Sequence, residues 1–188
     1  MSIILLVQFY HFICMNIETI FVGVAAVAAL LTAIASLYQT RRLKTSLQVE
    51  TLSKLVARFE SDSYESKRNS AALVCIANLQ NKSAGVEVEE MFDFFDEIAF
   101  LVRIKALTLE MTWHEFYHWI RLYYQSAETY IIERRAKEPT VWEDIYKLYP
   151  KLNSLEMKKH PDTYKEKLDD LELNEYLNEE LSNNEKLN

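Results

Sequence analysis

The amino-acid sequence predicts an all-α protein: one N-terminal transmembrane helix continuing into a stalk helix, then a small cytoplasmic helical bundle and a mostly polar, acidic tail. Three observations carry this. Phe21 to Tyr38, FVGVAAVAALLTAIASLY, is eighteen residues without a charge, and Ile17 and Ile20 extend it to roughly the 20 residues that a helix needs to cross a bilayer core. The 188 residues include only two glycines and three prolines, whereas sheets need turn glycines. From Val86 onward, apolar residues recur at i, i+3 and i+4, the helical period.

These observations divide the chain into four parts: an apolar extension over 1–16, the transmembrane helix over 17–40, the bundle over 41–152, and a partly disordered tail over 153–188. Arg41 and Arg42 close the span. Basic residues beside a span resist translocation, so the N-terminus is expected outside and the bundle inside the cell. The extension, apolar from Ile3 to Ile13, is too short to span alone and lacks the features of a cleaved signal peptide. It reads either as an interfacial continuation of the anchor or, preferably, as sequence upstream of a true start at Met15. Cys14, preceded by Ile13, does not fit a lipoprotein site. Cys14 and Cys75 form no disulfide framework and have no paired metal spacing. The net charge of −7 sits mostly at the end, with nine acids against three lysines from Pro161 to Asn188. The remainder is near neutral, which argues against a nucleic-acid partner.

Within the anchor, Ala25, Ala29 and Ala33 recur every four residues, and Ala28, Thr32 and Ser36 form a parallel row. Small side chains let helices approach closely in lipid, so this face is the candidate for a homo-oligomer. Arg42 to Glu60 reads as an amphipathic stalk with Leu43, Leu47, Leu52, Leu55, Val56 and Phe59 on one side. No helix breaker lies between Tyr38 and Phe59, so anchor and stalk form one rod. The stalk stops at Ser61-Asp62-Ser63, where Asp62 and Glu65 resemble a capping box. The next helix carries Ala71, Ala72, Val74, Cys75, Ile76 and Leu79 and ends in the loop Asn81 to Gly85, with Cys75 as a small core residue.

Val86 to Leu107 is the strongest helical signal. Val88, Met91, Phe92, Phe95, Ile98, Ala99, Val102 and Ala106 make its core face. Acids crowd its first half, which suits the positive end of the helix dipole and needs no carboxylate site. A further helix is expected from about Thr112 to Lys137, and a last core helix is expected to open at Pro139 and to end or kink at Pro150. In the tail, Leu168, Leu171, Leu177 and Leu181 mark a loose amphipathic helix.

One motif has catalytic form. His114-Glu115-Phe116-Tyr117-His118 matches H-E-x-x-H, in which two histidines on one helix face ligate zinc and the glutamate acts as general base. Helix geometry argues against it. Trp113, Phe116, Tyr117, Ile120, Tyr124, Ala127 and Ile131 share the core face, and at about 100° per residue His114 and His118 point away from it. They fall on a stripe with Arg121 and Gln125, and Arg121 would set a positive charge beside the metal. A third ligand is also required. The stripe therefore reads as solvated, and no cofactor is expected.

The order of elements resembles a bacterial family of small, N-terminally membrane-anchored helical proteins catalogued as domain of unknown function 4760. The residues that carry the resemblance are Phe94-Phe95-Asp96-Glu97, Leu101-Val102-Arg103, Tyr123-Tyr124 and Tyr130 to Arg135, within Ile17 to Leu152. This chain has Ala106 where members often have a turn glycine, and Tyr124 where they often have tryptophan. The resemblance implies no activity, cofactor or catalytic residue. The expected function is thus a non-enzymatic membrane protein acting by protein–protein interaction or oligomerisation. The alternative is a membrane-tethered zinc metallohydrolase using His114, Glu115 and His118. A weaker third idea is a helical subunit that perturbs the membrane on assembly.

Overall fold

In the computed structural model, which describes residues 3–79 and 86–185, helix α1 runs without interruption from Ile3 to Phe59. The expected single rod is present, and the extension's residues from Ile3 onward are part of the same helix. Six more helices follow: α2 (Asp62–Leu79), α3 (Val86–Arg103), α4 (Leu109–Ser126), α5 (Glu128–Lys137), α6 (Glu143–Lys159) and α7 (Asp170–Glu185). Among the described residues there is no strand. The loop expected at Asn81 to Gly85 lies outside the described residues. The chain divides into two units, 1–47 and 48–188.

In the first unit, Phe21, Val22, Val24, Val27, Leu30, Leu31, Ile34 and Leu37 all stand exposed. The helix is long and apolar enough to cross a membrane by length and composition, and none of its apolar window is buried within the chain. The hydroxyls of Thr32, Ser36 and Thr40 each donate to the carbonyl four residues earlier, at 2.8, 2.9 and 2.9 Å. Their polar groups are therefore satisfied inside the helix, as an apolar surrounding requires.

The second unit is organised around α3, on which α2, α4 and α6 all pack. Phe92 and Phe95 are buried as the period implies, but so is Phe94, on a different side of the helix. Phe94 stacks on Phe59 at 5.5 Å and meets Tyr64 at 4.9 Å. The stalk's apolar face is narrower than expected: Leu55 and Phe59 are buried, whereas Leu43 and Leu47 are exposed. Cys75 is fully buried and free, and burial pushes its thiol up to about 12.

Several boundaries differ from those the sequence suggests, each for a local reason. At the start of α2 the Ser61 carbonyl accepts from the amides of Tyr64 and Glu65 at 2.8 Å, so Ser61 takes the cap position and Asp62, the expected cap, is the first helical residue. Helix α3 ends at Arg103, before Leu107, because Lys105 takes a left-handed φ of 63°. The Ala106 amide bonds the Leu101 carbonyl at 2.9 Å and the Lys105 amide bonds that of Val102 at 3.0 Å, the pairing of a Schellman stop. Helix α4 begins at Leu109 because the Thr108 side chain caps the Met111 amide at 3.1 Å.

The long helix expected to reach Lys137 is broken at Ala127. Just before it, the buried Ser126 hydroxyl donates to the Leu122 carbonyl at 2.7 Å, a back-bond that bends helices. Pro139 lies in a turn, and α6 opens only at Glu143, after the left-handed Trp142 (φ 48°). The Trp142 indole donates to Asp93 at 2.9 Å, and Asp96 accepts from the Ile145 amide at 2.9 Å. Helix α3 thus caps α6 with its own carboxylates. Pro150 stays within α6 on an exposed position, where the carbonyl that it leaves unpaired can be hydrated.

The tail is the largest departure. Residues 153–159 belong to α6, and α7 packs on α2 and α4 with Leu173 and Leu177 buried. Leu171, expected on the apolar side, is 77% exposed.

Candidate functional site

Helix α4 carries the H-E-x-x-H residues on the side away from its buried face, which comprises Phe116, Tyr117, Ile120, Leu122, Tyr123 and Tyr124. That buried arc is wider than one helical stripe because α3, α6 and α7 each take part of it. Its polar tips are engaged in holding the bundle. The Tyr117 hydroxyl donates to Asn153 at 3.0 Å, the Tyr123 hydroxyl to the Arg68 carbonyl at 3.0 Å, and the Trp113 indole to Glu156 at 2.6 Å. Tyr124 stacks on Tyr149 at 4.0 Å. Burial pushes the phenols of Tyr123 and Tyr124 above their ordinary range.

The two histidines have different surroundings. His114 is 75% exposed, and its Nδ1 lies 2.9 Å from the carboxylate of the adjacent Glu115. His118 keeps part of its surface open, yet its ring stands edge-on to Tyr176 of α7 at 5.4 Å and to Trp119 at 5.2 Å. That packing, and secondly the charge of Arg121, hold its imidazole below the ordinary histidine range. Among the described residues, no group of three His, Cys, Asp or Glu side chains gathers at a point, so a zinc ion at His114 and His118 has no third protein ligand there.

The rest of the stripe is covered, where the sequence suggested solvent. Gln125 donates to the Tyr149 hydroxyl and to the Glu166 carbonyl, each at 2.9 Å, and accepts from the Leu168 amide at 2.9 Å. Arg121 donates to the Lys165 carbonyl. These contacts fasten the segment before α7 to α4, and they are the use to which this face is put.

The remaining conspicuous charges are likewise structural. Arg58 grips Glu97 through both terminal guanidinium nitrogens, at 3.3 and 2.7 Å. The Tyr130 hydroxyl and Arg134 share Glu89 at 2.6 and 3.3 Å, and Arg135 lies 4.2 Å over Tyr146. The acids of α3 therefore act as anchor points for α1, α5 and α6, a role that the sequence did not reveal. On α1, Ala25, Ala29 and Ala33 are exposed along one row, available to another helix but carrying no chemistry. No protein-family model, no curated protein and no solved structure matches the chain.

Proposed function

We propose that this chain is a single-span inner-membrane protein of a bacterium whose helical bundle faces the cytoplasm and acts by protein–protein interaction or by self-association. The observation that carries the reading is α1: an uncharged stretch, exposed along its whole described length, followed by Arg41 and Arg42. Exposed apolar surface on this scale is stable in lipid and unstable in water. The resemblance in Phe94 to Arg103 and Tyr130 to Arg135 points the same way. In the bundle, the side chains that would do chemistry are spent on packing: the tyrosine tips hold α6 and α2, and the α3 carboxylates hold α1, α5 and α6.

A reporter enzyme fused after Asn188 tests the topology. Activity from a cytoplasmic reporter and none from a periplasmic one is expected, and the reverse would relocate the bundle. Self-association is tested on the purified full chain in detergent by sedimentation. A dimer that Ala29→Ile converts to monomer is expected if the alanine row is the contact. A mass unaffected by Ala29→Ile would remove that row from the proposal.

A further inference from the structure

We infer that the end of the bundle at which the chain enters it, built from the last turns of α3 and the middle of α6, is a contact surface for anionic phospholipid headgroups. The inference rests on the reading of α1 as a membrane anchor. Between α3 and α6 lies a cleft of about 240 Å³ whose floor is Ala99, Val102 and Leu148. Its rim carries Arg103, Lys105, Lys147 and Lys151 against a single acid, Asp144. Four bases to one acid run counter to a chain of net charge −7. Arg103 is paired with Asp144 at 2.7 Å, and Lys147 with Glu143. Lys105 and Lys151 are exposed and form no ion pair among the described residues, so their charge is available to a phosphate group.

Two features favour a lipid over a soluble anion. Phe100 and Ile104, beside the cleft, are 42% and 49% exposed, and Ile104 immediately precedes Lys105 in the turn. Apolar side chains flanked by bases suit the interfacial layer of a bilayer, where rings and alkyl chains sit among headgroups. The second feature is position. The Gln48 side chain donates to the Lys105 carbonyl at 3.1 Å, which ties the turn to the first residue of this unit. Gln48 follows Arg42 by six residues, an extended length of at most about 21 Å, and Arg41, Arg42 and Lys44 precede it. Each basic residue near an anionic surface strengthens binding roughly fivefold.

The test uses the full chain in nanodiscs of phosphatidylcholine, with or without phosphatidylglycerol, read by amide hydrogen exchange of residues 99–106. Greater protection is expected in the anionic discs. Lys105→Asn with Lys151→Gln should abolish the difference while leaving the thermal midpoint in phosphatidylcholine unchanged, since asparagine tolerates the left-handed backbone. Equal protection in both discs, or a difference that survives the double substitution, would overturn the proposal. Inorganic phosphate added to phosphatidylcholine discs should give no protection; if it reproduced the effect, the ligand would be a soluble anion and the lipid assignment would fail. A chain that alkaline carbonate releases from membranes would instead refute the anchor itself, a different failure from unchanged exchange in a chain that stays in the bilayer.

Discussion

Arg68 of α2 and Glu180 of α7 form an ion pair at 3.0 Å that is almost entirely shielded from solvent. The guanidinium lies 4.5 Å over the ring of Phe59 and 5.6 Å over that of Trp119, so three helices besides α7 meet around one cation. A buried pair of this kind positions its helices more than it stabilises them, because removing both charges from water costs about what their attraction returns.

The pair sets a pH dependence. Burial holds the Glu180 carboxyl above its ordinary value of 4.5, against the opposing pull of Arg68. Between that value and the higher folded one, the folded state keeps a proton that the unfolded state has released, so this group's contribution to stability falls as pH rises. Glu180→Gln cannot titrate. It is expected to match the parent chain in acid and to equal or exceed its stability at neutral pH, as read from denaturant midpoints. A variant that is distinctly less stable at neutral pH would show that the pair is net stabilising.

Core truncations separate the two sources of packing. Phe95→Ala, at the fully buried centre of α3, should cost about 3–5 kcal/mol. Leu177→Ala, equally buried on α7, should cost about 2–5 kcal/mol. Thermal unfolding measures both, and an unchanged midpoint for Leu177→Ala would detach α7 from the core.

Lys105 holds a left-handed φ of 63°. A side chain costs about 1–2 kcal/mol in that conformation, while glycine adds entropy to the unfolded chain. Lys105→Gly should therefore stabilise the bundle by about 0.5–1 kcal/mol, seen as a higher denaturant midpoint. Ala106→Gly, at the position where the resembled family often has its glycine, should give no such gain.

The zinc reading is decided by metal content. Full-length protein purified without chelator is expected to hold far less than one zinc per chain, and His114→Gln should stay within about ±0.5 kcal/mol of the parent stability. A stoichiometric metal lost on changing His114 would reinstate the hydrolase.

How much of this was legible follows from what a helical period can report. The period names one buried face per helix, so it found Phe92, Phe95 and Ile98 on α3. It missed Phe94, because α3 is covered from more than one side. On α7 the leucines were visible, but the surrounding acids read as a solvated tail. The choice between Leu171 and Leu173 depends on where α2 lies, which no local pattern encodes. Among the described residues the long apolar N-terminal helix, the unbroken stalk and the buried Cys75 were legible because each depends on its own stretch of chain. The polar fastening of Gln125 and Arg121 to residues some forty positions later was not, because a glutamine or arginine on a helix looks the same whether water or a carbonyl faces it. The basic cleft joins Lys105 to Lys151 across two helices, and no spacing in the sequence announces it.

The docking of α7 on α2 also bears on how the protein is made. Leu177 completes a core to which Ala72 and Cys75 already belong, yet it leaves the ribosome about a hundred residues after them. At roughly 5–20 residues per second, that apolar seam stays open for some 5–20 seconds in every nascent chain. The nascent chain therefore carries α2 as an unfinished surface, and ribosome stalling before Leu177 should leave that surface exposed to proteases.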